Sequence, residues 1–187
     1  MVPKKLPGKL RLLQVLLLVI LFSTNTVIGQ EDKSQDSSED IIASAYKDVW
    51  EPFMESYRAL DIEKFKSIQA SDLIKVAIDR NTIQTKATYF ESIEGFFNQI
   101  KQMNRQMDIR FSILSSATGD SKIYQTGYYS IGMRASNSES FQPTGYGYFV
   151  VVLIKEDGSW KISMDADKQA TINEEEFNKS DVIYQLD

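Results

Sequence analysis

The sequence predicts an α+β domain in which N-terminal helices pack against a curved, mostly antiparallel β-sheet. Three patterns carry the prediction. Apolar residues recur at three- and four-residue steps from Ile42 to Leu60 and again from Tyr89 to Met103, as on amphipathic helices. After Met107 the period changes to two, with Ile109, Phe111 and Ile113 alternating with polar neighbours. The step Glu156-Asp157-Gly158-Ser159 then reads as a tight hairpin turn between two strands.

The elements follow in order. Residues 1–29 carry Lys4, Lys5, Lys9 and Arg11 without an acid, then an apolar run from Leu12 to Phe22, then polar Ser23 to Thr26. This is the layout of a cleaved secretory signal peptide, with Val27-Ile28-Gly29 at the cleavage position and Gln30 starting the mature chain. As a helix the run spans about 16 Å, roughly half a hydrocarbon core, so no stable membrane span is expected after cleavage. No Cys is present to carry a lipid anchor. Residues 30–39 are polar and read as a disordered leader, and residues 40–167 as the folded domain.

Within the domain, Pro52 interrupts the first helix and predicts a kink near Asp48, because proline lacks the N–H and its ring crowds the carbonyl four residues back. Asp61 is expected to cap a short second helix bearing Phe65 and Ile68. Leu73 to Ile78 has strand character and ends in a polar turn at Asp79-Arg80-Asn81. Thr88 with Glu91 forms a capping box for the long helix. Strands are predicted over Lys122 to Arg134, Thr144 to Lys155 and Trp160 to Asp165, with Trp160, Ile162 and Met164 sharing the buried face. Residues 168–187 form a tail with one short helix capped by Asn173 and Glu176.

Composition narrows the chemistry. The 187 residues are 42% hydrophobic and 25% charged, enough for one domain with a real core. His and Cys are both absent, which removes Ser-His-Asp and Cys-His nucleophile systems, thiolate and imidazole metal sites, and disulfides. Acidic groups outnumber basic ones 26 to 21, and four of the basic ones lie in the leader, so nucleic acid is not an expected partner. A domain exported without disulfides fits a bacterial periplasm or the cell exterior.

The order of elements resembles the nuclear transport factor 2-like superfamily, in its SnoaL-like and ketosteroid isomerase-like branches. The residues that carry the resemblance are Trp50-Glu51-Pro52-Phe53, Ala59-Leu60-Asp61, Tyr89 to Phe97, and Glu156 to Ile162 with Asp165. It implies a cone-shaped fold with a helix-lined pocket, a homodimer formed through the outer face of the sheet, and functions that the fold alone does not decide. The His-Asp pair of the dehydratase-like members has no counterpart in this chain. What the resemblance leaves is isomerase-like chemistry by an Asp base with a Tyr or protonated acid donor.

Asp79, Asp165 and Asp167 are the candidate acids, with Asp165 and Asp79 the candidate catalytic bases, because strand-end carboxylates can line the mouth of such a cone. Tyr57, Tyr89, Tyr128, Tyr146 and Tyr148, together with Asp165, are expected to face inward and bind a small apolar or aromatic ligand. Alternate glycines in Gly145-Tyr146-Gly147-Tyr148 predict a close backbone approach or a bend. Residues 165–176 imitate the oxygen spacing of a calcium loop, but Ala170 replaces the turn glycine and Lys168 adds an opposing charge, so neither metal nor cofactor is expected. The reading is an exported ligand-binding or interaction module without catalysis, the alternative being an isomerase-like or lyase-like enzyme with an Asp base and a Tyr donor.

Overall fold

The computed structural model describes residues 31–135 and 140–187. The chain divides into Met1–Glu39, of which the helical backbone from Glu31 onward is described, and Asp40–Asp187, which holds the sheet and core. The expected signal peptide and the start at Gln30 lie outside the described residues. Helix α1 spans Glu31–Ala45, so the polar segment read as a disordered leader carries helical backbone.

The kink expected near Asp48 is a π-helical turn, Tyr46–Trp50, closed by the Glu51 N–H on the Tyr46 carbonyl. Helix α2, Glu51–Ala59, continues from it with Pro52 at its second position, where proline has no N–H to donate to the preceding turn. The wider turn thus absorbs the proline without ending the helical run. Asp61 caps α3, Ile62–Ser67, accepting from the Glu63 and Lys64 amides. Strand β1 is Gln69–Ala77, followed by a 3₁₀ turn at Ile78–Arg80 and a short strand β2, Thr82–Gln84. The long helix α4, Lys86–Gln102, starts one turn earlier than the Thr88 box implies. Thr85 is its cap, accepting from the Thr88 amide, and Thr88 instead pairs its hydroxyl with that of Thr85.

Four long strands follow: β3 Arg105–Thr118, β4 Lys122–Ala135, β5 Gln142–Glu156 and β6 Ser159–Gln169. Asp157 and Gly158 both take positive φ in the hairpin between the last two, as a two-residue turn of this kind requires. The tail is more than a helix in a loop. After helix α5, Glu174–Phe177, strand β7, Val182–Tyr184, pairs with β3 and extends the sheet. The sheet order is β2-β1-β6-β5-β4-β3-β7, antiparallel except for β1 beside β6. Extra residues in β1, β3, β5 and β6 shift the register and bend it, as bulges do.

One shift matters for function. Ile162 faces Leu153, and Met164 faces Val152, so Ser163 is an extra residue in β6. Trp160 and Ile162 are fully buried as expected, but the phase then slips, and Asp165 takes the buried side where strict alternation places Met164. The core beneath the sheet is built from Trp50, Phe53, Phe65, Phe97, Phe111 and Phe149, packed as tilted and edge-to-face rings 4.7–6.5 Å apart.

Candidate functional site

A cavity of about 210 Å³ lies between α2, α4 and the inner face of the sheet. Its walls are apolar, with Trp50, Phe53, Phe111 and Phe149 among them, and its polar end is formed by Tyr57, Tyr89, Tyr129, Asp165 and Asp167. The Trp50 ring is held in place by its indole N–H, which donates to Gln125 Oε1 at 2.9 Å.

The glycine pattern explains how the sheet makes room. Gly127 pairs across the ladder with Phe149, and Gly147 with Tyr129. A Cβ on Gly147 would overlap the Tyr129 ring, and one on Gly127 would strike the Ser112 carbonyl and the Phe149 ring. Each glycine therefore lets an aromatic from the next strand lie flat on the inner face. The close approach expected in residues 145–148 falls on Gly147, while Gly145 faces open space.

At the polar end every acid has protein partners. Tyr89 donates to Asp165 Oδ2 at 3.0 Å and Tyr129 donates to Asp167 Oδ2 at 3.2 Å. Lys75, 5% exposed, reaches both acids from β1, with Nζ 2.9 Å from Asp165 Oδ2 and 3.1 Å from Asp167 Oδ1. It also sits 5.0 Å from the Tyr89 ring centre. Burial pulls the Lys75 ammonium down, but the charges of Asp165 and Asp167 outweigh it and hold its pKa above the ordinary value. Burial, then the Asp165 charge, raises the phenols of Tyr57 and Tyr89, and burial with the Asp167 charge raises Tyr129. All three phenols stay protonated, as hydrogen-bond donors, at any physiological pH. Tyr57, a residue only 7% exposed, lines the same cavity.

Of the residues expected at the site, Tyr57, Tyr89 and Asp165 line the cavity together with Asp167. Tyr128, Tyr146 and Tyr148 have the opposite parity on their strands and lie on the outer face. Tyr128 packs edge-on against Tyr148 at 5.8 Å, and Tyr146 donates to Glu174 and stacks near Phe177 on the tail. Asp79 is exposed and accepts from the Gln169 amide, fastening the end of β6 to the 3₁₀ turn, so it is away from the cavity. The residues at positions 165 and 167 of the calcium-like spacing are held by Lys75 and phenols inside the cavity. Lys75 and Tyr129 escape sequence reasoning, although Lys75 shares its parity with buried Leu73 and Ala77, a signal that a charge is turned inward.

No family model and no curated protein matches the chain. Solved structures do. ActVI-ORFA from Streptomyces coelicolor superposes with a TM-score of 0.61 over 71% of this chain and 99% of its own, at 13% identity. The chain has the nuclear transport factor 2-like fold. A scytalone dehydratase-like protein from Novosphingobium aromaticivorans gives 0.58 over 73% and 89% of the two chains at 14% identity. A calcium/calmodulin-dependent protein kinase type II association-domain protein from Thiobacillus denitrificans gives 0.51 over 65% and 91% at 9%. An enzyme-like and an association-domain neighbour on one nuclear transport factor 2-like frame leave function to be argued from the cavity itself.

Proposed function

We propose that the cavity binds a small, largely apolar molecule bearing one hydrogen-bonding group. The observation that carries this reading is an aromatic-walled cavity of about 210 Å³ with the phenols of Tyr57, Tyr89 and Tyr129 and the carboxylates of Asp165 and Asp167 gathered at one end. An apolar cavity with a few convergent polar groups at one end is the usual form of a small-ligand site, the polar groups fixing the ligand's orientation. Trp50 lines the cavity and Trp160 does not, so a ligand reports itself through Trp50 fluorescence. Titration with small monocyclic aromatic alcohols and ketones should give saturable quenching that the cavity-filling change Ile131→Trp abolishes. Quenching unaffected by that change would place the binding elsewhere and refute the reading.

A second reading, proton transfer by an enzyme, is favoured by the 3.0 Å contact of Asp165 with Tyr89 in a buried site. Against it, Lys75 Nζ already sits 2.9 Å from Asp165 Oδ2, the same oxygen that accepts from Tyr89, so that oxygen is taken up by protein partners. Catalysed exchange of the α-hydrogens of cyclohexenone in D₂O, lost in Asp165→Asn, would establish it over simple binding.

We further propose export by the leader and self-association through the outer sheet face. Ile74, Met164, Val152 and Tyr124 stand in one cross-strand row on that face, beside a row of Val76, Ala166 and Val150. Contiguous apolar rows of this kind favour a second copy of the same surface.

A further inference from the structure

We propose that the cavity's ligand is a small organic monocation, an amine or guanidine on a flat apolar body. The proposal rests on the binding reading and deepens it. Charge and ring placement support it separately.

Two carboxylates, Asp165 and Asp167, line the polar end, and one ammonium, Lys75, serves both. With both carboxylates charged, the set carries one negative charge that no other cavity-lining residue offsets. The excess falls on Asp167. Its side chain is 28% exposed against 9% for Asp165, so it is the carboxylate a ligand meets first. A low-dielectric, aromatic-walled space strengthens any charge pairing made inside it.

The walls match the same class of ligand. Trp50, Phe53, Phe111 and Phe149 present rings to the cavity, and a cation near an aromatic face is held by the ring quadrupole. The hydroxyl oxygen of Tyr57 accepts one N–H of a bound ammonium while Asp167 accepts another. An alcohol in the same place can hydrogen-bond to Tyr57 but leaves the net negative charge of the set unbalanced. A carboxylate ligand is repelled by Asp165 and Asp167.

The experiment is calorimetric titration of the full chain with three near-isosteric probes: benzylamine, benzyl alcohol and benzoate. At neutral pH the amine should bind about tenfold more tightly than the alcohol, with benzoate weakest. Asp167→Asn should erase the amine's advantage. Should that variant unfold, the order of the three probes on the unaltered chain still decides. Alcohol binding as tight as amine binding overturns the inference and leaves the binding reading standing. Binding by none of the three overturns both.

Discussion

Lys75→Met would leave Asp165 and Asp167 side by side with no cation in a site where the lysine is 5% exposed. Breaking a buried ion pair by removing one partner costs about 3–5 kcal/mol, so chemical denaturation at neutral pH should show a loss of that size. The sign of its pH dependence follows from the raised pKa. Because the folded value lies above the ordinary 10.5, the stabilisation is complete below that pH and is lost only as pH climbs through the raised value. The difference between Lys75→Met and the unaltered chain should therefore be constant from pH 7 to about 10 and shrink above it. Gly147→Ala acts on the same site from the sheet. Its Cβ displaces the Tyr129 ring from the inner face, at a cost of about 1–3 kcal/mol, and should cost much less in a Tyr129→Ser background.

At the scale of elements, β6 and the tail show how short devices place whole segments. Trp160 is fully buried, with its indole N–H on Ser44 and its backbone amide on Asp48, so it ties the hairpin to the first helical run. Trp160→Ala should cost about 3–5 kcal/mol, and an unchanged melting temperature would contradict the register of β6. The tail is fastened to the outer face by Phe177, fully buried, and by Glu174, whose two carboxylate oxygens each accept from Arg110 Nη2 at 3.0 Å and one of which also accepts from Tyr146. The Arg110 hydrogen bond is the main cause that lowers Glu174 from 4.5 to about 2. A lowered acid stabilises above its unfolded value and loses that contribution as pH falls. Amide protection factors at Val182–Tyr184, the exchange rates corrected for the intrinsic pH dependence, should thus fall between about pH 4.5 and 2, and Glu174→Gln should show the reduced protection already at neutral pH.

For the whole molecule, the apolar rows on the outer face make self-association the outcome to measure. Sedimentation equilibrium should find a dimer that Tyr124→Glu, at a position 42% exposed, converts to a folded monomer whose melting temperature no longer depends on protein concentration. A monomer at all concentrations would leave the face without the partner proposed for it. The tail bears on the same surface, because α5 covers the outer face near Tyr146 while Tyr124 and Ile74 stay exposed. Any contact between copies is therefore centred toward β1, β6 and the far end of β4.

Sequence alone determined what depends on local chemistry. The helical period, the Asp61 and Asn173 caps, the Asp157-Gly158 turn and the burial of Trp160 all follow from residues within a few positions of one another. It also brought out Tyr57, Tyr89 and Asp165, since large aromatics on helices and an acid on the last hairpin are visible as types. Tertiary structure alone decided which parity faced inward. An extra residue at Ser163 reverses every side chain beyond it, and strand alternation read from a run containing Tyr128 and Tyr129 offers two equally apolar faces. Only the ladder, where Gly147 yields to Tyr129 and Lys75 lies beside Asp165, breaks that tie, because these partners are brought together across strands far apart in the chain.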